Sequence, residues 1–227
     1  MKELQLLGVS LKDYSLREVM RQVDDYLAKG KCNTIVLVTM RGLIAAKDSE
    51  QVRSFLESVD ITVPAESDIL RAANVVSRNR NWEIDNDEFT KSFLHKLVKQ
   101  RKTVYYLTST REQLQSLKQA VSSYEPSLRV VGEYSLDQLE KDEDFLINEI
   151  NVETPNILIS NLSSPQREEF FETNHMKLNV QIWLMLKDEV VHKKIKNHPL
   201  QKVLQFVESR LFSLRVNKYQ SEEEEEK

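Results

Sequence analysis

Glycine is scarce. Four glycines occur in 227 residues, where ordinary usage near 7% would give about sixteen. Few positions are therefore free to let backbone approach a phosphate closely or to take a positive φ without strain. Cysteine is scarcer: Cys32 stands alone, which excludes an intrachain disulfide and a cysteine-based zinc cluster. The four histidines, His95, His175, His192 and His198, have no close metal-ligand spacing, so no metal and no cofactor is expected. No apolar run approaches the ~18 residues that cross a bilayer, and the opening from Met1 to Leu4 has no apolar signal core. A cytoplasmic location is expected. The net charge of −4 argues against nucleic acid as a partner.

What the chain does have is a 40% hydrophobic share, enough for a sizeable core, arranged as short β-rich runs alternating with amphipathic stretches. A β-rich run over Leu4 to Val9 precedes a helix over Ser15 to Lys29, whose start carries a capping-box pair, Ser15 and Glu18. The run Thr34 to Thr39 is continuously apolar and β-branched, the pattern of a strand covered on both faces. Helices are predicted over 42–47 and 51–58, a strand over 60–63 and a helix over 67–76. Ser77 to Asn81 reads as a polar surface loop. Helices over 87–99, 111–122, 136–151 and 165–174 then alternate with strands over 103–107, 128–131, 156–160 and 180–186. This order predicts an α/β fold, a mostly parallel sheet with helices on both faces, over residues 1–188.

Beyond 188 the composition changes. Lys193 to Lys218 holds seven Lys/Arg against one acidic residue, Glu208, with Leu200, Val203, Leu204, Val207, Leu211 and Leu214 at helical spacing. A basic amphipathic helix is expected over 189–218 and an acidic, disordered tail over 219–227. Such a helix would lie on an anionic membrane, cover its own domain or meet a partner. Lys202, Arg210, Leu211, Phe212, Arg215 and Lys218 are the candidate contacts, although the glutamates at 222–226 would be repelled by anionic lipid.

Ligands of open α/β sheets bind beyond the carboxyl ends of the strands. The segments there are Thr39-Met40-Arg41-Gly42, Pro64-Ala65-Glu66-Ser67, Thr108-Ser109-Thr110, Gly132-Glu133-Tyr134, Ser160-Asn161-Leu162-Ser163-Ser164-Pro165 and Lys187-Asp188. With Leu7-Gly8-Val9 and Gly30-Lys31, their order and spacing resemble the WecG/TagA/CpsF family of bacterial glycosyltransferases, from about Leu4 to Asp188. The resemblance implies a Rossmann-like fold and metal-independent transfer of a sugar from a UDP donor to a lipid-diphosphate-linked acceptor at the inner face of the membrane. It also implies a Pro-Asp-Gly aspartate as general base and a basic C-terminal appendage that approaches the membrane.

The family's chemical residues are largely replaced. Thr-x-Asn stands as Thr39-Met40-Arg41, Pro-Asp-Gly as Pro64-Ala65-Glu66, the glycine pair as Thr108-Ser109, and Gly-x-Pro-x-Gln-Glu as Ser163-Ser164-Pro165-Gln166-Arg167-Glu168. Alanine abstracts no proton, and loss of a positioned base costs ~10²–10⁴-fold in rate. Glu66 or Asp68 would be a displaced base, or else Ser67 and Asp68 simply begin a helix. Arg41 and Arg167 suit a phosphate, or pair with Glu66 and Glu168. Ser164 is expected as the N-cap and Pro165 as the first residue of a helix whose start would be an anion site or only a helix start.

If substrate binding survives, Thr39, Arg41, Thr108, Ser109, Ser163, Arg167 and Glu168 are the residues expected to provide it. If the pocket is lost, Met40, Arg41, Glu66 and Met185 are expected to fill it. The reading that follows is a catalytically degenerate relative acting in cell-envelope polysaccharide assembly, in contact with a paralogous glycosyltransferase or another envelope-synthesis protein. The alternatives are an active UDP-sugar glycosyltransferase and a non-catalytic subunit of a paralogous enzyme.

Overall fold

The computed structural model describes residues 2–139, 142–187 and 199–225, with the side chains of the last helix described over 208–221. It opens with an antiparallel hairpin, β1 (Lys2–Leu6) and β2 (Val9–Asp13). Leu7 and Gly8 at its turn both have positive φ, 54° and 76°, as a tight two-residue hairpin turn requires. The sequence suggested one β-rich run here; the turn splits it in two.

The main sheet has six parallel strands: β3 (Asn33–Val38), β4 (Ile61–Pro64), β5 (Thr103–Thr108), β6 (Arg129–Ser135), β7 (Ile157–Asn161) and β8 (Ile182–Met185). Their order is β4-β3-β8-β7-β5-β6. The chain builds one edge with β3 and β4, crosses to β5 and β6, and returns to fill the centre with β7 and β8. Successive strand residues face opposite layers. Ile35, Val104, Tyr106, Ile159 and Leu184 meet α1 (Leu16–Leu27), α6 (Glu88–Lys99) and α7 (Arg111–Tyr124). Val36, Tyr105, Leu158, Trp183 and Met185 join the hairpin, α2 (Met40–Asp48), α3 (Glu50–Ser58), α8 (Glu143–Glu153) and α9 (Gln166–Asn174) in the other layer. This is the expected α/β sheet with helices on both faces, and burial of both faces explains the continuous apolar strand sequences.

Several expectations are corrected. The polar segment after α4 (Ser67–Ala72) is not a loop but opens α5 (Arg78–Asp85). Ser77 caps it by accepting the Arg80 N–H, and Arg80 binds Asp13 and Glu83, each at 2.7 Å. Capping and ion pairs secure a helix that has no apolar stripe to betray it. The helix expected over 136–151 is a short 3-10 turn, Leu136–Gln138, followed by α8, which Asp142 caps through the Phe145 N–H. Pro165, not Ser164, is the N-cap of α9, with no side-chain cap bond.

The last helix, α10, spans Pro199–Glu225. Its backbone remains helical through 219–225, the stretch whose charge suggested disorder; glutamate is a good helix former, and a long preceding helix removes the nucleation cost. The boundary expected near residue 188 lies outside the described residues, as do His192 and His198. No described helix is long and apolar enough to cross a membrane.

Candidate functional site

Beyond the carboxyl ends of β3, β4, β7 and β8 lies a cavity of about 310 Å³. Thr39, Met40, Arg41, Gly42, Ile44 and Ala45 of α2 and its cap line one side. Glu66 after β4, Ser164 and Arg167 around the start of α9, and Lys187 after β8 complete the base, while Glu208, Leu211 and Arg215 of α10 close over it. Arg41, Arg167, Lys187 and Arg215 thus face one volume with Glu66 and Glu208. The cavity has an excess of cations and suits an oxyanion.

Each polar group is placed by the local fold. Thr39 is the N-cap of α2 and its hydroxyl accepts the Gly42 N–H at 3.1 Å. The Glu66 carboxylate accepts the Met40 N–H at 2.7 Å, which puts an anion at the positive end of the same helix. Arg167 donates through Nε and one terminal nitrogen to a single oxygen of Glu168, at 3.0 and 2.5 Å, and its guanidinium lies 5.1 Å from the Phe55 ring. The Glu168 side chain is fully buried, and its second carboxylate oxygen has no hydrogen-bond partner among the described residues. Of the two pairings expected for the arginines, Arg167 with Glu168 is present; Arg41 instead pairs with Glu208, a partner the strand-end motifs do not contain.

The family model for the glycosyl transferase WecG/TagA/CpsF family matches residues 4–187, which take in most of the hairpin and the whole six-stranded sheet whose carboxyl edge carries this cavity. The chain belongs to this family. No curated protein sequence matches it.

In this WecG/TagA/CpsF protein the expected binding residues divide into two groups. Thr39, Arg41 and Arg167 line the cavity, with Glu168 buried behind Arg167. Thr108, Ser109 and Ser163 do not line it: they tie neighbouring strand ends together, with the Ser163 N–H donating to Ser109 Oγ at 2.9 Å, Gln113 Nε2 donating to Ser163 Oγ at 3.1 Å, and Thr108 Oγ1 donating to the Thr110 carbonyl at 2.9 Å. Beside them Asn161 is fully buried, and neither atom of its amide group is paired among the described residues.

The candidate bases also separate. Glu66 faces the cavity, whereas Asp68 is held by the Ser209 hydroxyl at 2.6 Å and by Arg71 at 3.1 Å. Ala65 lines a second, smaller cleft of about 40 Å³ with Tyr14, Arg80 and Glu83 among its walls. Nor is the main cavity filled: Met40, Arg41 and Glu66 border it, and Met185, expected to occlude it, is buried in the sheet core.

The α10 contacts need one correction. Phe212 is fully buried, packed with Val216 into the domain core, so it faces inward rather than toward a partner. Leu211, Arg210, Arg215 and Lys218 are exposed, and the side chain of Lys202 lies outside the described residues. Sequence reasoning placed Lys187 only within a strand-end segment and Ser164 only as the expected cap at a candidate anion site, and it did not single out Glu208 as a site residue. The available signal for Glu208 was its position as the lone acid in a basic helix.

Proposed function

We propose that this protein is a catalytically degenerate member of its family that keeps a cation-rich cavity and serves as an interaction or regulatory component of bacterial cell-envelope polysaccharide assembly. One observation carries the reading. The position that resembles the family's catalytic aspartate is Ala65, and both nearby carboxylates are engaged, Glu66 at the cavity wall by the Met40 N–H and Asp68 by Ser209 and Arg71. General-base catalysis needs an acceptor within reach of the attacking hydroxyl. The exposed side chains of α10, with Leu211 and Leu214 about half or more exposed beside Arg210, Arg215 and Lys218, suit contact with a paralogous glycosyltransferase or with the inner face of the membrane.

The enzyme reading rests on Glu66 lining the surviving cavity, where it would act as a displaced base toward a UDP-sugar. Assays of UDP-sugar hydrolysis and of transfer to a lipid-diphosphate-linked acceptor decide between the two. No turnover is expected from the wild-type chain; turnover that disappears in Glu66→Gln establishes the enzyme instead.

A further inference from the structure

The cavity carries its own counter-charge. Glu208 interrupts the basic stretch 193–218, and α10 holds it over the cavity in an ion pair with Arg41. The two side chains are 39% and 69% exposed, so the pair alone adds little to stability. Packing fixes Glu208 in place. One residue on, Ser209 donates to Asp68 at 2.6 Å. Farther along, Phe212 and Val216 are buried in the core, and the Lys47 ammonium lies 5.0 Å from the Tyr219 ring centre. Glu208 is therefore presented to Arg41 by a helix anchored for other reasons.

We propose that Glu208 is a built-in competitor for oxyanions. Its carboxylate takes the place on Arg41 that an oxygen of pyrophosphate or of a nucleoside diphosphate would take, so α10 sets how tightly the cavity binds such a ligand. The inference concerns binding and needs no turnover, so it stands apart from the function proposed above. A carboxylate within contact distance of the cation that receives the ligand opposes ligand charge by both repulsion and competition. In a partly solvated site its removal is worth about three- to tenfold in affinity.

Calorimetric titration of the full chain with inorganic pyrophosphate at low salt tests this. Glu208→Gln is expected to bind about three- to tenfold more tightly than wild type, and Glu208→Lys more tightly again. Arg41→Gln is expected to weaken binding and to remove most of the gain when combined with Glu208→Gln. Glu153→Gln, the same charge change on α8 at the opposite end of the sheet, is expected to leave affinity unchanged. The proposal is overturned if neither Glu208 variant binds more tightly than wild type, if Glu153→Gln gives the same gain, if the gain persists in full without Arg41, or if pyrophosphate binds none of the variants. Amide exchange over 208–221 checks that α10 stays docked in each variant, and a gain seen only when α10 is released also overturns it.

Discussion

Arg167 brings its charge into the protein, to a side chain 9% exposed, against a Glu168 side chain that solvent does not reach. A family glutamine at this position would offer an amide; arginine demands a counter-ion, and the adjacent glutamate supplies it. Removing one member of a buried pair leaves the other charged and unpaired, which costs ~3–5 kcal/mol. Arg167→Ala is accordingly expected to lower the urea unfolding free energy by about that amount. The double replacement Arg167→Met with Glu168→Leu should recover most of the loss, since apolar packing is often as stable as the ion pair it replaces. The motif showed that the amide had been exchanged for a cation. Only the fold showed that Phe55, remote in sequence, forms the floor under the guanidinium.

At the scale of elements, α10 is the part whose role was least legible. Its basic residues and helical spacing were visible, yet three roles were compatible with them: lying on a membrane, covering its own domain or meeting a partner. Phe212 and Val216 pack inward against the domain, leaving Leu211 and Leu214 outward. Phe212→Ala removes a buried aromatic, a loss of ~3–5 kcal/mol, and is expected to release the helix. Amides over 208–221 should then exchange roughly a hundredfold faster or more, while those of β5 and β7 remain protected. Leu211→Ser with Leu214→Ser should leave protection in place, because neither side chain holds the helix down. Element α5 makes the complementary point: its sequence lacks periodicity, and its stability comes from Ser77 and from Arg80 reaching back to Asp13, a contact between segments distant in the chain.

For the molecule as a whole, several acids are held protonated by burial. Burial, with Asp60 adding its charge, pushes the Cys32 thiol and the Tyr26 phenol each up to about 12. Tyr105 and Tyr106 are raised as well, first by burial and then by Glu149 and Glu133 respectively. Above the ordinary values of 9.0 and 10.0 the unfolded chain loses these protons while the folded chain keeps them. The folded state then binds more protons, and stability falls as pH rises. The contribution is intact below pH 9 and declines toward 12. Urea midpoints are expected to drop between neutral pH and about pH 10.5, and Tyr106→Phe should flatten that decline. Cys32 should also resist alkylation at neutral pH until the chain is unfolded.

The sequence alone determined the alternation of strands and helices and the parallel sheet, and it carried the family resemblance that sets Ala65 against a Pro-Asp-Gly motif. The alternation and the sheet follow from local periodicity, readable one segment at a time, whereas the place of Ala65 comes from the resemblance. The tertiary structure decided which strand ends share a cavity. Thr39, Arg41 and Arg167 meet there because β8 inserts beside β3, while Ser109 and Ser163 bond each other and Thr108 bonds the Thr110 carbonyl. It also brought Glu208 onto Arg41, a pairing across 167 positions. Charge partners are chosen by proximity in the folded chain, and proximity between distant segments is set by packing rather than by the order of residues.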